Sequence, residues 1–190
     1  IHSNCRELVD NMADMAHFGP VHYSKVHEFR NIQDGHRFVQ FMSGGHEILA
    51  EEGQVFTSVA TYEGPAYMTT TMTGSMDGQE VVTHLLVTHV PVNTEQFDIR
   101  FGVMMKKNPA LSAEKNKAAV DAYTQMCIDS FIQDVEIWNN KIRVDNPLLC
   151  DGDGPVNMVR KWYSQFYMDV AEIPEALTVR KEHVTLPRGK

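Results

Sequence analysis

Apolar side chains recur at helical intervals between residues 112 and 142, where Val120, Cys127, Phe131, Val135, Trp138 and Ile142 form one stripe. Ser112, a residue type favoured as an N-cap, stands at its start. This spacing predicts a long helix over 112–142. One charged residue falls inside the stripe: Asp134, three positions after Phe131 and four before Trp138. Gln125, Asp129, Gln133 and Glu136 lie on the opposite, polar side. An unpaired carboxylate on a buried face costs several kcal/mol or neutralises. Asp134 therefore needs a partner, and a divalent cation, an arginine or a helix N-terminus would each serve.

Residues 4–17 also read as a helix, with Asn4 and Glu7 in capping-box spacing. Cys5, Leu8, Val9, Met12 and Met15 make its apolar face, and Asp10, Asp14 and His17 fall together on the other. From about residue 37 the period changes to two. Segments 37–42, 46–50, 54–62, 66–74, 79–90 and 95–106 read as strands rich in Val, Thr, Phe and Tyr. Turn signals at Gly44-Gly45, Glu63-Gly64-Pro65, Asp77-Gly78 and Pro91-Val92-Asn93 separate them, and such short connections imply antiparallel hairpins. A turn at Asp151-Gly152-Asp153-Gly154-Pro155 precedes a second helix near 156–170, and 172–190 reads as a loose tail. The sum is an α+β domain with the long helix packed across an antiparallel sheet. Between sheet and helix an elongated apolar cavity is expected, with Val59, Tyr67, Met68, Leu86, Phe101 and Met104 as candidate walls.

The most informative chemistry is Asp14-Met15-Ala16-His17-Phe18-Gly19-Pro20-Val21-His22, a D-x2-H-x4-H run. Imidazoles five residues apart point roughly 140° apart on a continuous helix. Gly19-Pro20 is expected to break the helix and bring His22 back beside His17. Two histidines plus one carboxylate with open positions is the donor set of mononuclear non-heme Fe(II) oxygenases. Asp134 is the candidate carboxylate. Other motifs are weaker. His84 and His89 are an odd number apart in one strand and so face opposite sides of the sheet. Asp151-Gly152-Asp153-Gly154 lacks the remaining ligands of a calcium loop and reads as a turn. Trp162, Tyr163, Phe166 and Tyr167 cluster at helical spacing, as core, pocket wall or subunit interface. No P-loop, dinucleotide fingerprint or G-x-S-x-G elbow is present.

Length and composition bound the rest. A chain of 190 residues, 43% hydrophobic and 22% charged, is most simply one globular domain. A net charge of −8 without a basic stripe argues against a nucleic-acid partner. Cys5, Cys127 and Cys150 have no paired spacing, which suits reduced thiols in a cytoplasmic protein. No apolar run reaches membrane-spanning length, and no signal-peptide pattern opens the chain.

Two segments carry a family resemblance. SNCRELVDNMADMAHFGPVH, from Ser3 to His22, resembles the iron-binding segment of Rieske-type ring-hydroxylating oxygenases, with N-x2-D-x2-H-x4-H at Asn11, Asp14, His17 and His22. QDVEIWNNKIRVDNPLLCDGDGPVNMVRKWYSQFY, from Gln133 to Tyr167, resembles the 3-ketosteroid 9α-hydroxylase oxygenase components within that family. The resemblance implies Fe(II) held by His17, His22 and Asp134, with Asp14 relaying electrons and Asn11 nearby. It implies a helix-grip, START-like fold over residues 1–190 as a catalytic mononuclear-iron domain, and a homotrimer in the complete protein. It also implies a steroid-like substrate, O2, and electrons from NAD(P)H through a reductase and a [2Fe–2S] Rieske cluster. Such a cluster needs two cysteines and two histidines in C-x-H and C-x2-H pairs. None of the three cysteines here has that spacing, so the cluster would sit on a missing domain or another chain. The expected function is Fe(II)/O2-dependent hydroxylation of a large apolar ring substrate. The alternatives are a START-like module that carries a hydrophobic ligand without chemistry, and a zinc hydrolase, which the same donors would suit.

Overall fold

Alternation of buried and exposed side chains builds a seven-stranded sheet. In the computed structural model, which describes residues 1–46, 54–76 and 78–187, the strands are β1 (Ser24–Asp34), β2 (Arg37–His46), β3 (Phe56–Tyr62), β4 (Tyr67–Met76), β5 (Gln79–Asn93), β6 (Gln96–Met105) and β7 (Lys181–Thr185). Their order is β6-β5-β4-β3-β2-β1-β7, and every neighbouring pair is antiparallel. The expected strand at 46–50 lies, except for residue 46, outside the described residues, as does Asp77 of one turn signal. No helix among the described residues is long and apolar enough to cross a membrane.

Two strands have no counterpart in the sequence reading. In β1 the inward positions after Phe29 are Asn31 and Gln33, buried amides that hide the period of two. They are buried because they serve the backbone. Asn31 Nδ2 donates to the Met12 carbonyl at 2.6 Å, and Gln33 Nε2 to the carbonyls of Ala176 and Val179. The tail expected to be loose instead forms α5 (Glu175–Thr178) and then β7, which pairs with β1 from Phe29↔Thr185 to Gln33↔Lys181.

The helix expected over 4–17 is divided. Only α1 (Arg6–Asp10) is helical; the chain then turns until α2 (Phe18–His22). Its apolar face is as read: Cys5, Leu8, Val9, Met12 and Met15 are all buried. The capping box does not form. Asn4 Oδ1 accepts from the Arg6 amide, while Glu7 is drawn to Lys141 and Arg143. Asp10 is likewise buried against Arg160 and does not share a polar stripe with Asp14 and His17.

The long helix α3 (Ala113–Asn140) begins as expected, with Ser112 Oγ accepting from the Lys115 amide. It ends two residues early, leaving Ile142 86% exposed. It meets the sheet along β6, where Phe131 stacks on Phe101 at 5.1 Å and Trp138 meets Phe97. The centre of the sheet is covered by other elements. Val9, Met12 and Ala13 and the helix α4 (Val156–Ser164) pack Val159, Trp162 and Tyr163 onto Phe38, Ala60 and Tyr62 of β2 and β3. The second helix ends at Ser164 and continues as a 3-10 turn to Tyr167. Strand parity corrects the wall residues. Val59, Tyr67, Leu86 and Met104 fall on the outer face, opposite Ala60, Met68, Leu85 and Val103. Met68 and Phe101 fall on the helix side.

The DGDG segment is a turn that also braces the N-terminal segment. Asp153 accepts from the Met15 amide at 2.9 Å through its carbonyl and from the Cys150 amide through Oδ2. Gly154, at φ +93°, passes so close that a Cβ would overlap the Ala13 carbonyl oxygen. Gly154→Ala should destabilise by roughly 3 kcal/mol, combining backbone strain with displacement of packed backbone. Gly35→Ala, at φ +57° in open space, should lose only about 1–2 kcal/mol. Urea unfolding of the two variants checks the contrast.

His89 is buried as a neutral ring. Tyr62 Oη lies 3.3 Å from Nδ1, and Tyr163 Oη, whose proton goes to the Pro65 carbonyl, lies 3.5 Å from Nε2. Nε2 thus carries the proton and Nδ1 accepts. Burial pushes its pKa down from 6.5 to about 4. A depressed histidine contributes stability that is present above its unfolded pKa and lost as pH falls toward the folded one. Unfolding free energy should therefore drop by about 2 kcal/mol between pH 7 and pH 4.5 on this account. His89→Gln should lack that portion when the same urea melts are compared.

Candidate metal centre

Three side chains from two distant parts of the chain converge. One donor atom each from His17, His22 and Asp134 lies within 4.8 Å of the others. Asp129 and Glu136, on the outer side of α3, are exposed and take no part. His84 is exposed beside Thr71, and His89 is in the core.

The local fold brings the imidazoles together in an unexpected way. Gly19-Pro20 does not break a helix there; it lies inside α2, in the first turn, where a missing amide proton costs no hydrogen bond. His17 is the N-cap of this one-and-a-half-turn helix and His22 its last residue, followed by Tyr23 in the left-handed region at φ 53°. The His17 ring lies against Phe18, 4.4 Å between centroids, and edge-on to His22 at 5.2 Å.

Each donor is oriented by a partner. His17 Nδ1 lies 2.6 Å from the Asp14 carbonyl oxygen, which can only accept, so Nδ1 holds the proton and Nε2 presents a lone pair. His22 Nδ1 lies 3.1 Å from Gln133 Oε1 and 3.4 Å from Ser130 Oγ, leaving Nε2 facing Asp134 Oδ2 at 3.3 Å. Asp134 is 8% exposed, and its Oδ1 accepts from Asn11 Nδ2 at 3.3 Å. Gln133 and Ser130 escape the sequence reading, which places Gln133 on the solvent side of α3. The signal available was adjacency to Asp134.

The electrostatics belong to a site that attracts positive charge. Burial lowers the His22 pKa, but the hydrogen bond and charge of Asp134, with Gln133, outweigh it and raise the value. Asp14 is the partly exposed member, its side chain 37% accessible. Its Oδ1 accepts from the His17 amide at 3.2 Å. Burial pushes this carboxyl up, but the His17 hydrogen bond and charge and the Lys141 charge hold it below the ordinary value.

The donor set fits a divalent first-row metal. Two imidazoles with their outer nitrogens spent on oxygen acceptors, plus one carboxylate, offer two nitrogens and one oxygen.

The family model described as the 3-ketosteroid 9alpha-hydroxylase C-terminal domain matches residues 1–167. A Rhodococcus rhodochrous protein named 3-ketosteroid-9-alpha-monooxygenase, oxygenase component, is 40% identical over 187 residues, covering 95% of this chain and 48% of the relative. A protein of the same name from Mycolicibacterium smegmatis is 37% identical over 186 residues, covering 95% and 49%. A Caenorhabditis elegans cholesterol 7-desaturase is 49% identical over 39 residues, covering 20% of this chain and 9% of the relative. The chain spans about half the length of the two bacterial relatives. With residues 1–167 inside one family model, the chain belongs to the family of 3-ketosteroid 9α-hydroxylase C-terminal domains.

Proposed function

We propose that residues 1–190 are the catalytic mononuclear-iron domain of a Rieske-type steroid monooxygenase, with a helix-grip, START-like fold. The convergence of His17, His22 and Asp134 in a chain of this family carries the reading. The overall reaction is hydroxylation of a C–H bond of a fused-ring ketone: O2, two electrons and two protons give one alcohol and one water. Bound at this site, Fe(II) supplies the activation of O2. The electrons come from NAD(P)H through a reductase and a Rieske [2Fe–2S] centre on a segment or chain beyond these residues, which hold no C-x-H pair. The complete protein is a cytoplasmic homotrimer in this reading, consistent with three cysteines none of which is bonded to another.

The chain's own residues orient and connect. His17, His22 and Asp134 would hold the metal. Gln133 and Ser130 fix the His22 ring, and Asn11 fixes the Asp134 carboxylate. Asp14 touches His17 and also reaches the surface. That placement suits a relay between an external electron donor and the metal. Phe18 lies against His17 and His22 and packs on the buried cluster of Met15, Phe29 and Met42, so the site is bordered there by apolar side chains.

Fe(II) reconstitution followed by metal analysis tests the assignment. Wild type should hold about one ion per chain. Asp134→Ala should lose it, and Gln133→Ala should weaken affinity roughly 10–100-fold by freeing the His22 ring. Asp14→Ala should retain iron while slowing turnover in the system reconstituted with Rieske centre and reductase. Full iron retention by Asp134→Ala sinks the ligand assignment. Unchanged turnover of Asp14→Ala sinks the relay.

A further inference from the structure

Positions 6, 9 and 10 share one face of α1, and positions 160, 163 and 164 share one face of α4, because each set follows the three-and-four spacing of a helix. Together with Arg143 and Tyr167 these two faces line a cavity of about 200 Å³. None of its lining residues is a metal donor. Val9 and Tyr163 give it buried apolar walls, and Arg6, Arg143 and Arg160 give it three guanidinium groups.

The charges around this cavity do not balance. Arg160 is fully spent: Nε and Nη2 donate to Asp10, and Nη1 donates to the carbonyls of Val144 and Asp145. Lys141 and Arg143 share Glu7. Arg143 Nε is buried and makes no hydrogen bond, although Asp145 Oδ1 lies 3.3 Å away. Arg6 is left over. Its guanidinium lies 4.5 Å over the Tyr167 ring, and the groups that act most on its charge are Tyr167, Cys5 and Tyr163, none of them a carboxylate. A ring face and a phenol oxygen leave most of its five N–H donors unspent. Four cations, Arg6, Lys141, Arg143 and Arg160, thus meet three carboxylates, Glu7, Asp10 and Asp145. Asp10 also lines the cavity, but both its oxygens are already taken by Arg160.

We propose that this cavity binds a small organic carboxylic acid with an apolar body. A carboxylate supplies the missing fourth anion, and a guanidinium fork takes it through two parallel hydrogen bonds. The apolar walls call for a body as well as a charge. The volume lies below the roughly 300–1,000 Å³ of sites for drug-sized ligands, so a fused-ring molecule does not fit. The site is separate from the iron reading and does not depend on it.

Calorimetric titration of the iron-loaded chain with benzoate, benzamide and acetate at fixed ionic strength tests the proposal. Benzoate should bind with a dissociation constant on the order of 1 mM or below, as so small a ligand allows. Benzamide has the same shape without the charge and should bind about 10–100-fold more weakly, the worth of a charge-assisted hydrogen bond. Acetate has the charge without the ring and should bind at least about 10-fold more weakly. Arg6→Gln should bind benzoate no better than benzamide. Arg6→Lys keeps the charge without the planar fork and should fall between. Arg37→Gln removes the same charge at a surface pair with Glu63 and should match wild type. Benzoate binding that is unchanged in both Arg6 variants overturns the proposal, and its loss in His17→Ala would then place the acid on the iron. Equal affinity for benzoate and benzamide, equal affinity for benzoate and acetate, or no benzoate binding at about 10 mM overturns it as well.

Discussion

A buried ion cluster holds together the parts of the chain on which the site depends. Glu7 and Asp10 of α1 are almost wholly buried, and their cations come from elsewhere. Lys141 and Arg143, just past α3, reach Glu7; Arg160 of α4 grips Asp10 through Nε and Nη2, the latter at 2.6 Å. Charges taken from water repay their desolvation only in good geometry, and removing one partner costs about 3–5 kcal/mol. The arrangement is thus a strict constraint on relative position. It ties α1, which leads to Asn11, Asp14 and His17, to the end of α3, which carries Asp134.

A second set of polar contacts makes the interrupted helix possible. A chain that leaves a helix after Asp10 must satisfy its carbonyls in other ways. Asn31 of β1 donates to the Met12 carbonyl, and Gln40 of β2 donates to those of Asn11 and Met12. At the site, bracing runs across elements in both directions: α3 steadies His22 of the N-terminal segment, and the N-terminal Asn11 steadies Asp134 of α3. Neither half of the donor set is oriented by its own element alone.

These long-range polar contacts also mark the limit of what the sequence makes legible. Residues whose surroundings are set by hydrophobic period alone could be read: the N-cap and face of α3, the placement of Asp134 among apolar positions, the buried face of α1, and most of β2 to β6. Residues whose burial depends on a distant polar partner could not. Asn31 and Gln33 look like loop residues, yet they line the inside of β1. Glu7 and Asp10 look solvated, yet both are in the interior. Gln133 looks like a surface residue because His22, its partner, lies 111 positions away. The division between α1 and α2 is hidden for the same reason, since the groups that satisfy the turn come from the sheet.

The short strand β7 has a consequence for how the molecule behaves in company. Without it, the eleven-residue β1 would be the rim of the sheet, presenting a long row of unpaired amide and carbonyl groups. Such a rim templates pairing with a second chain. β7 covers the Phe29–Gln33 stretch of it and presents there a rim only five residues long, opened by Lys181, Glu182 and His183. At the other rim, β6 turns Asp98 and Arg100 outward. The C-terminal strand therefore guards colloidal behaviour: a proteolytic nick between α5 and β7 would leave the donor residues in place and yet turn a monodisperse preparation into one prone to edge-to-edge aggregation.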